Sequence, residues 1–483
     1  MLPSPSRTVP EFLPTLVRGT GVSLERQLAQ AYREAILEGR LPGGSRLPSS
    51  RDLAATMGIH RNTVVSALEG LVAEGCLQSV RGSGTFVSAD VQSSAPLTRA
   101  LQTARWLRAV PEPTALPRRA ELLEFRVCQP STRDFPMDAW RRAWREATRT
   151  APSDDYGPVA GEAAFREALA GYLRRARGLH CTAQEVLVTS GSLQAVQLIA
   201  QATLTPGTRV AFEDPGYPLA RQVLEGCGAD IVPIPVDEDG LRVDLLPVGV
   251  DAPHLVYLTP SHQFPLGGRL SLGRRQALLD WAHESDALIL EDDYDSEFRF
   301  DVPPLPALAS LDRAGRVAYL GTFSKVLSPA LRVGYVVATP ALLERLTRLK
   351  TLSDYCTSSL TQMALEQFIY SGALERHIAR MRRVYAHKRE ALLEALQPLR
   401  DVSRVRGLEA GLNLFLECDP GLDLRRVEQD CAAQGVGITL VQRYAHRECL
   451  EHGLVLGYGG LEVEQMGRAA KVLVRTVQST KSR

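Results

Sequence analysis

The sequence predicts a two-domain chain that joins a small helical module, closed by a β-hairpin, to a larger α/β domain built on a mostly parallel sheet. Three observations carry this. At 483 residues the chain is longer than one hydrophobic core usually organises. Between Val22 and Val87 apolar residues recur at helical spacing with clear punctuation, and the segment ends in a glycine-broken hairpin pattern. Beyond residue 120 short apolar runs alternate with helical patterns, as expected for parallel strands joined by crossover helices.

In the first module Leu24, Leu28, Tyr32, Ile36 and Leu37 put an apolar stripe on one helix, which Gly39 and Leu41-Pro42-Gly43-Gly44 terminate. A second helix is expected to start after Ser49 or Ser50, whose hydroxyl can cap free amides, and to stop at Gly58. A third runs from about Arg61 to Glu74. Val64, Leu68, Leu71 and Val72 face inward in it, leaving Arg61, Asn62, Val65, Ser66 and Glu69 toward solvent or a ligand. Leu77 to Val80 and Thr85 to Val87 then read as two strands around the flexible Arg81-Gly82-Ser83-Gly84.

Three helices and a hairpin in this order predict a winged helix-turn-helix over residues 20–88. Such a fold lays one helix in the major groove of double-stranded DNA, with the helix start reaching bases and phosphates. Here that start is His60-Arg61-Asn62-Thr63, in which arginine can grip guanine or phosphate with two prongs while Asn62 and Thr63 offer amide and hydroxyl bonds. Arg51 sits in the first turn of the preceding helix, and Arg81 on the wing can enter the adjacent groove. Charge alone would equally suit a packing module, because residues 22–87 hold seven arginines against six acids. The net charge of +1 likewise requires any DNA binding to come from a local patch.

Residues 89–120 read as a linker, with Pro96, Pro111, Pro113 and Pro117 and little periodicity. The second domain is expected over residues 121–478. Its strands are Val186–Thr189, Arg209–Phe212, His254–Leu258, Ala287–Leu290 and Val317–Leu320, and ligands of such a sheet bind at the carboxyl ends of its strands. No apolar run approaches the ~20 residues of a membrane span, and Met1 to Arg18 lacks the apolar segment of a secretory signal. A cytoplasmic protein without a membrane partner is expected. The eight cysteines never pair as Cys-x-x-Cys, so neither a zinc site nor a disulfide framework is predicted, and the thiols read as buried or incidental.

Only five of the 56 basic residues are lysine: Lys325, Lys350, Lys388, Lys471 and Lys481. Arginine replaces lysine in most surface roles but cannot form an imine, so a lysine inside a motif carries weight. Lys325 is such a residue. It closes Gly321-Thr322-Phe323-Ser324-Lys325 directly after a strand, with Arg332 seven residues on. That grouping suits a ligand with a phosphate and an aldehyde: the lysine forms the imine, Thr322 and Ser324 donate to phosphate oxygens, and Arg332 neutralises their charge. After the strand Ala287–Leu290 comes Glu291-Asp292-Asp293-Tyr294, which can set a carboxylate against a protonated pyridine nitrogen and a phenol near a ring hydroxyl. Three carboxylates in a row also suit a metal, but no substrate-phosphate motif accompanies them, and no metal site is assigned. Val188 to Ala195 reads as strand, tight turn and helix start, whose free amides and hydroxyls would cradle a phosphate. Tyr217 supplies an aromatic face that can cover a ring.

The run from Gly39 through Pro42-Gly43-Gly44-Ser45-Arg46-Leu47-Pro48-Ser49-Ser50-Arg51-Asp52-Leu53-Ala54, then Arg61-Asn62-Thr63-Val64, Gly75 and Arg81-Gly82-Ser83-Gly84-Thr85-Phe86-Val87, closely resembles the GntR family of DNA-binding domains. Position by position the resemblance implies Arg51, Arg61, Asn62, Thr63, Arg81 and Gly84 as DNA contacts, with Val65 where a polar contact is often found. The second domain resembles fold-type-I aminotransferases, and the joined architecture resembles the MocR subfamily of GntR regulators over nearly all of residues 22–475. This implies pyridoxal 5'-phosphate as cofactor, with Lys325 as the Schiff-base lysine, Asp292 at the pyridine nitrogen, Tyr294 at the ring hydroxyl and Tyr217 stacked on the ring. Ser190, Gly191, Ser192, Thr322, Ser324 and Arg332 are implied around the phosphate. Tyr156 matches a tyrosine that reaches the partner's phosphate, so a head-to-tail homodimer is implied.

Two departures bear on function. Where aminotransferases carry Asn-Pro-x-Gly, this chain has Ser261-His262-Gln263-Phe264-Pro265-Leu266-Gly267, leaving His262 or Gln263 to replace the asparagine. Where working aminotransferases hold a substrate carboxylate with arginine, Gly453-Leu454-Val455-Leu456-Gly457-Tyr458 offers Val455, and Arg443 is the alternative. Losing a two-pronged ion pair there costs roughly 2–5 kcal/mol of substrate binding. The expectation is therefore a regulator that senses pyridoxal phosphate, alone or joined to a small amine. An aminotransferase with an accessory DNA-binding module, and a dimerisation scaffold that has lost the cofactor, are its rivals.

Overall fold

Ser23 opens the first helix by accepting a hydrogen bond at its hydroxyl from the Arg26 amide. The computed structural model describes residues 12–90, 113, 122–149, 151, 153–300, 306–407, 410–447 and 450–481. These fall into two compact units that part between residues 111 and 112. The expected linker lies outside the described residues over 91–112 and 114–120.

In the first unit, helix α1 (Leu24–Leu37) buries Leu28, Tyr32, Ala35 and Ile36. Leu37, expected in that stripe, is 41% exposed, because it comes one residue after Ile36 and so turns about 100° off the apolar face. Helix α2 (Ser50–Met57) is capped by Ser49, whose hydroxyl takes the Asp52 amide, and ends at Gly58 in the left-handed conformation that glycine adopts without strain. Helix α3 (Arg61–Ala73) buries Val64, Ala67, Leu68 and Leu71, while Val72 is only half-buried. Strands β1 (Leu77–Val80) and β2 (Gly84–Val87) pair antiparallel, with Leu77 opposite Val87. Their buried ends, Leu77 and Val87, close the same core as the helices.

The second unit centres on eight strands: β3 (Val186–Thr189), β4 (Thr208–Asp214), β5 (Ala229–Asp237), β6 (Gly240–Leu241), β7 (Leu255–Leu258), β8 (Leu288–Asp293), β9 (Val317–Thr322) and β10 (Gly334–Val337). Their order is β3-β10-β9-β8-β7-β4-β5-β6. The neighbours from β9 through β5 are parallel, whereas β10 runs against both β9 and β3, and β6 folds back on β5. Burial on both faces explains why these strands read as continuous apolar runs. A second sheet, from Ser403–Arg406, Asn413–Cys418, Gly453–Gly457 and Thr439–Leu440 in that order, packs with the helices Ala373–Leu396, Leu424–Ala433 and Val463–Lys481 in a separate core. No helix among the described residues is long and apolar enough to cross a membrane.

Candidate functional site

At the carboxyl ends of the central strands one cavity gathers Ser192, Tyr217, Asp292, Tyr294, Thr322, Ser324, Lys325 and Arg332. It is the place where a sheet of this kind takes its ligand. Successive side chains of β8 point to opposite faces, and this sorts the three carboxylates. Asp292 lines the cavity. Glu291 instead accepts the backbone amides of Leu308 and Ala309, each at 2.8 Å, and Asp293 takes Arg177 Nε and the Tyr319 hydroxyl, each at 2.6 Å. Among the described residues no group of acids, histidines or cysteines is placed to hold a metal ion.

Asp292 Oδ2 accepts the Tyr257 hydroxyl at 2.5 Å, while its Oδ1 is buried with no hydrogen-bond partner among the described residues. Burial pushes this carboxyl up to about 6, against the Tyr257 hydrogen bond and the Lys325 charge. Tyr257 is itself fixed by stacking on Phe212, its neighbour across β4 and β7, with ring centres 4.6 Å apart. Sequence reasoning missed Tyr257, which sits inside an apolar run and reads there as core.

Thr322 Oγ1 donates to Ser324 Oγ at 3.0 Å and accepts the Ser324 amide at 3.1 Å, so the turn after β9 is braced before it reaches Lys325. The helix Ser192–Thr203 starts without a side-chain cap, leaving its first amides toward the cavity that Ser192 and Leu193 line. Gly191 has φ +106°, and a Cβ there would come within 3.1 Å of the Arg332 guanidinium. Ser190 and Gly191 are not among the lining residues. The Ser190 hydroxyl donates to Asp354 at 3.0 Å, and its carbonyl accepts Arg332 Nη2 at 2.8 Å.

His262 also stands outside the cavity lining. Its Nδ1 lies 2.9 Å from the Tyr294 hydroxyl and 3.0 Å from both Asp295 oxygens, which places it behind Tyr294 as a support. Gln263 is consumed by its own turn, donating to the Pro215 and Phe264 carbonyls and accepting the Leu266 amide. Tyr156 is 76% exposed and does not line the cavity of its own chain. Val455 is buried in an apolar cluster with Cys128, Phe264, Phe415, Val441 and Tyr444, against which Tyr217 and Tyr294 pack. Arg443 is spent on Glu428 at 2.7 Å.

Cys128, read in the sequence as one incidental thiol among eight, lines the cavity and holds a backbone φ of +55°. Its Sγ donates to Asn413 Oδ1 at 3.0 Å, and burial pushes the thiol far up, so it stays protonated. Thr259 also lines the cavity, donating its amide and hydroxyl to the buried Glu213. Burial raises that carboxyl to about 8, opposed by those hydrogen bonds.

In the first unit Arg51, Arg61, Asn62, Arg81 and Gly84 are exposed and Thr63 is half-buried. Arg33 pairs with Glu74 and Arg40 with Glu38, whereas Arg51, Arg61 and Arg81 form no ion pair with an acid among the described residues. Gly84, at φ +116°, leaves room for Arg46, whose Nε would meet a Cβ there at 3.2 Å. Arg46 is a further exposed cation without an acidic partner among the described residues, and the sequence reading passed over it. Cations without an acidic partner among the described residues thus include those at the start of α2, the start of α3 and the wing.

Residues 24–87 match the gntR family of bacterial regulatory proteins, and residues 123–450 match the aminotransferase class I and II family. The chain is 35% identical over 437 residues to the HTH-type pyridoxine biosynthesis transcriptional regulator PdxR of Corynebacterium glutamicum, covering 90% of this chain and 92% of that protein. It is 34% identical to the probable rhizopine catabolism regulatory protein MocR of Rhizobium meliloti, covering 93% of each. Among solved structures it resembles LysN, an alpha-aminoadipate aminotransferase of Thermus thermophilus complexed with N-(5'-phosphopyridoxyl)-L-leucine. That match has 30% identity and a TM-score of 0.69, over 75% of this chain and 93% of that one. The kynurenine aminotransferase of Pyrococcus horikoshii matches with 27% identity and a TM-score of 0.70, over 74% of this chain and 91% of that one.

Proposed function

Since this chain belongs to the gntR family of bacterial regulatory proteins, in the MocR-type form that carries an aminotransferase class I and II domain, we propose that it is a cytoplasmic, pyridoxal-phosphate-dependent transcriptional regulator. Its winged helix binds a double-stranded DNA operator. Its second domain senses pyridoxal 5'-phosphate, alone or joined to a small amine. The observation that carries this reading is the single cavity where Lys325, Asp292, Tyr294, Tyr217, Ser192, Thr322, Ser324 and Arg332 meet.

The residues present fit that cofactor. A buried Asp292 oxygen without a partner suits a protonated ring nitrogen, and the close approach of Arg332 to Gly191 suits a phosphate at an uncapped helix start. When bound, the cofactor supplies an aldehyde that reacts with amines and a ring that accepts electrons. Lys325 holds the aldehyde end, Asp292 keeps a negative charge at the opposite edge, and Tyr217 covers a face. Ser192, Ser324 and Arg332 hold the phosphate, and Thr322 braces Ser324 from behind. Tyr294 reaches the ring hydroxyl, and His262 with Asp295 orients Tyr294 from behind.

Sensing over turnover is supported by the lining itself: its cations among the described residues are Lys325 and Arg332, both given to the cofactor here, and Val455 lies in the apolar cluster that Phe264, Tyr217 and Tyr294 join to the cavity. The exposure of Tyr156 supports a head-to-tail homodimer in which it reaches the partner's phosphate. Arg51, Arg61, Asn62, Thr63, Arg81 and Gly84 face the DNA. A ligand shifts such a regulator only by binding one geometry more tightly than another.

The test compares full-length wild type with Lys325→Ala, on a duplex selected from a random pool, with and without pyridoxal phosphate. The cofactor should change affinity or footprint for wild type and leave the variant unmoved. An identical response in both would refute the proposal, and turnover of common amino donors at ordinary enzyme rates would favour the enzyme instead.

A further inference from the structure

Of the lysines outside the cavity, Lys350 is fully buried in the helix Pro340–Ser353, a position where a long cation needs a specific reason. Its Nζ donates to Asp354 Oδ1 at 2.7 Å and Oδ2 at 2.9 Å, and lies 3.4 Å from Gln194 Oε1. Both acceptors lead to one residue. Gln194 Oε1 accepts the Ser190 amide at 2.7 Å, and Asp354 Oδ2 accepts the Ser190 hydroxyl at 3.0 Å. The Ser190 carbonyl is held by Arg332. Every polar group of Ser190 is therefore engaged, and Gly191 leads directly from it into the uncapped helix start, whose first two residues line the cavity.

We propose that Lys350 and Asp354 are positioning residues for the phosphate of the ligand: a neutral pair behind the cradle that fixes Ser190 and so aims the amides of the adjoining helix start. This rests on the cofactor reading. Asp354 supplies the acceptor that immobilises Ser190, but a lone carboxylate beside a phosphate dianion would repel it. Lys350 cancels that charge from the buried side, where water cannot do so. Partial burial opposes ionisation of Asp354, yet hydrogen bonds from Lys350, Gln194 and Ser190 hold its carboxyl below the usual range. The same segment continues into Tyr355 and Cys356, which touch the exposed Tyr156 through a ring contact at 5.2 Å and a thiol-to-carbonyl hydrogen bond at 2.9 Å.

The measurement is the affinity of the full chain for pyridoxal 5'-phosphate and for pyridoxal, which lacks the phosphate, by fluorescence or absorbance titration; their ratio isolates the cradle. Lys350→Met should lower that ratio on the order of tenfold or more, leaving pyridoxal affinity near wild type. Asp354→Asn should lower it by a smaller factor, because one of the two oxygens that serve Lys350 and Ser190 becomes an amide nitrogen that can only donate. The double variant should fall between the two single ones, because the carboxylate left uncompensated by Lys350→Met is then gone. General misfolding would weaken both ligands alike. If Lys350→Met fails to fold, Asp354→Asn decides, its side chain being 30% exposed. Ratios within twofold of wild type in both single variants, or a double variant no better than Lys350→Met, overturn the inference alone. A wild type that does not prefer the phosphorylated ligand overturns the cofactor reading with it.

Discussion

Tyr257→Phe removes one hydrogen bond and nothing else from the cavity wall, since the ring that stacks on Phe212 is kept. Asp292 would then have both oxygens buried without a donor. A hydrogen bond to a charged group contributes about 1.5–3 kcal/mol, and one pKa unit is about 1.4 kcal/mol, so the carboxyl should move up from about 6 by roughly one to two units. The sign is set by the form that binds. A protonated ring nitrogen needs the carboxylate, so cofactor affinity is full above the carboxyl's value in the ligand-free protein and falls as pH drops through it. Wild type should lose affinity below about pH 6, and Tyr257→Phe already below about pH 7 to 8. At pH 9 the two should converge. Titrating pyridoxal phosphate into each protein from pH 5 to 9, with Asp292→Asn as the control that lacks this transition, reads the effect directly. The same midpoint in wild type and Tyr257→Phe would refute the account of Asp292.

Arg51→Ala should weaken binding to any duplex and flatten the plot of log affinity against log salt by about 0.9, as loss of one phosphate contact requires; an unchanged slope removes Arg51 from the interface. Glu213→Gln should flatten the stability of the second domain between about pH 4.5 and 8. A carboxyl raised to about 8 by burial stabilises the fold below its unfolded value and loses that contribution as pH rises toward the folded one. The variant's advantage should thus grow with pH, by at most about 1.4 kcal/mol per unit, and a pH-independent difference in denaturant midpoints would contradict it. Leu28→Ala, at a fully buried site, should cost about 2–5 kcal/mol and speed hydrogen exchange in α1 and α3 accordingly. Leu37→Ala, at an exposed one, should stay within about 0.5 kcal/mol, and equal effects would mean the core is misplaced.

The strands that the sequence revealed are those buried on both faces, where an apolar run has no competing explanation. Strand β5 escaped because Pro233 and Pro235 break its pattern; it is tolerated next to the sheet's edge, where only the short β6 pairs beyond it. Strand β10, Gly334–Val337, escaped because it opens on a glycine, which reads as a breaker and leaves three residues of pattern, although it is the one strand that runs against its neighbours inside the sheet. At the site, residues that lie at or just past a strand's carboxyl end and carry chemistry were legible: Lys325, Asp292, Tyr217 and Ser192 all reach the cavity. Those whose role depends on a distant partner were not. Ser190 looks like a phosphate donor until Asp354, 164 residues away, is seen to hold its hydroxyl, and nothing local to Tyr257 or Cys128 reports that either meets the cavity.

The two ends of the cavity explain how an enzyme's fold serves as a sensor. At the end of the helix start the frame is braced while the first amides stay open: Thr322 braces Ser324, Arg332 holds Ser190, and Asp354 with Lys350 backs the turn. Fixed donors give the ligand affinity without reorganisation. On the side of Phe264 the wall backs onto the apolar cluster of Val441, Tyr444 and Val455, and Arg443 is already paired with Glu428. A ligand arriving there is bound by contact area and gains no ion pair for a carboxylate. A braced frame at one end and an apolar wall at the other suit a ligand that stays bound in one geometry, and a difference in binding between geometries is what a DNA-binding switch needs.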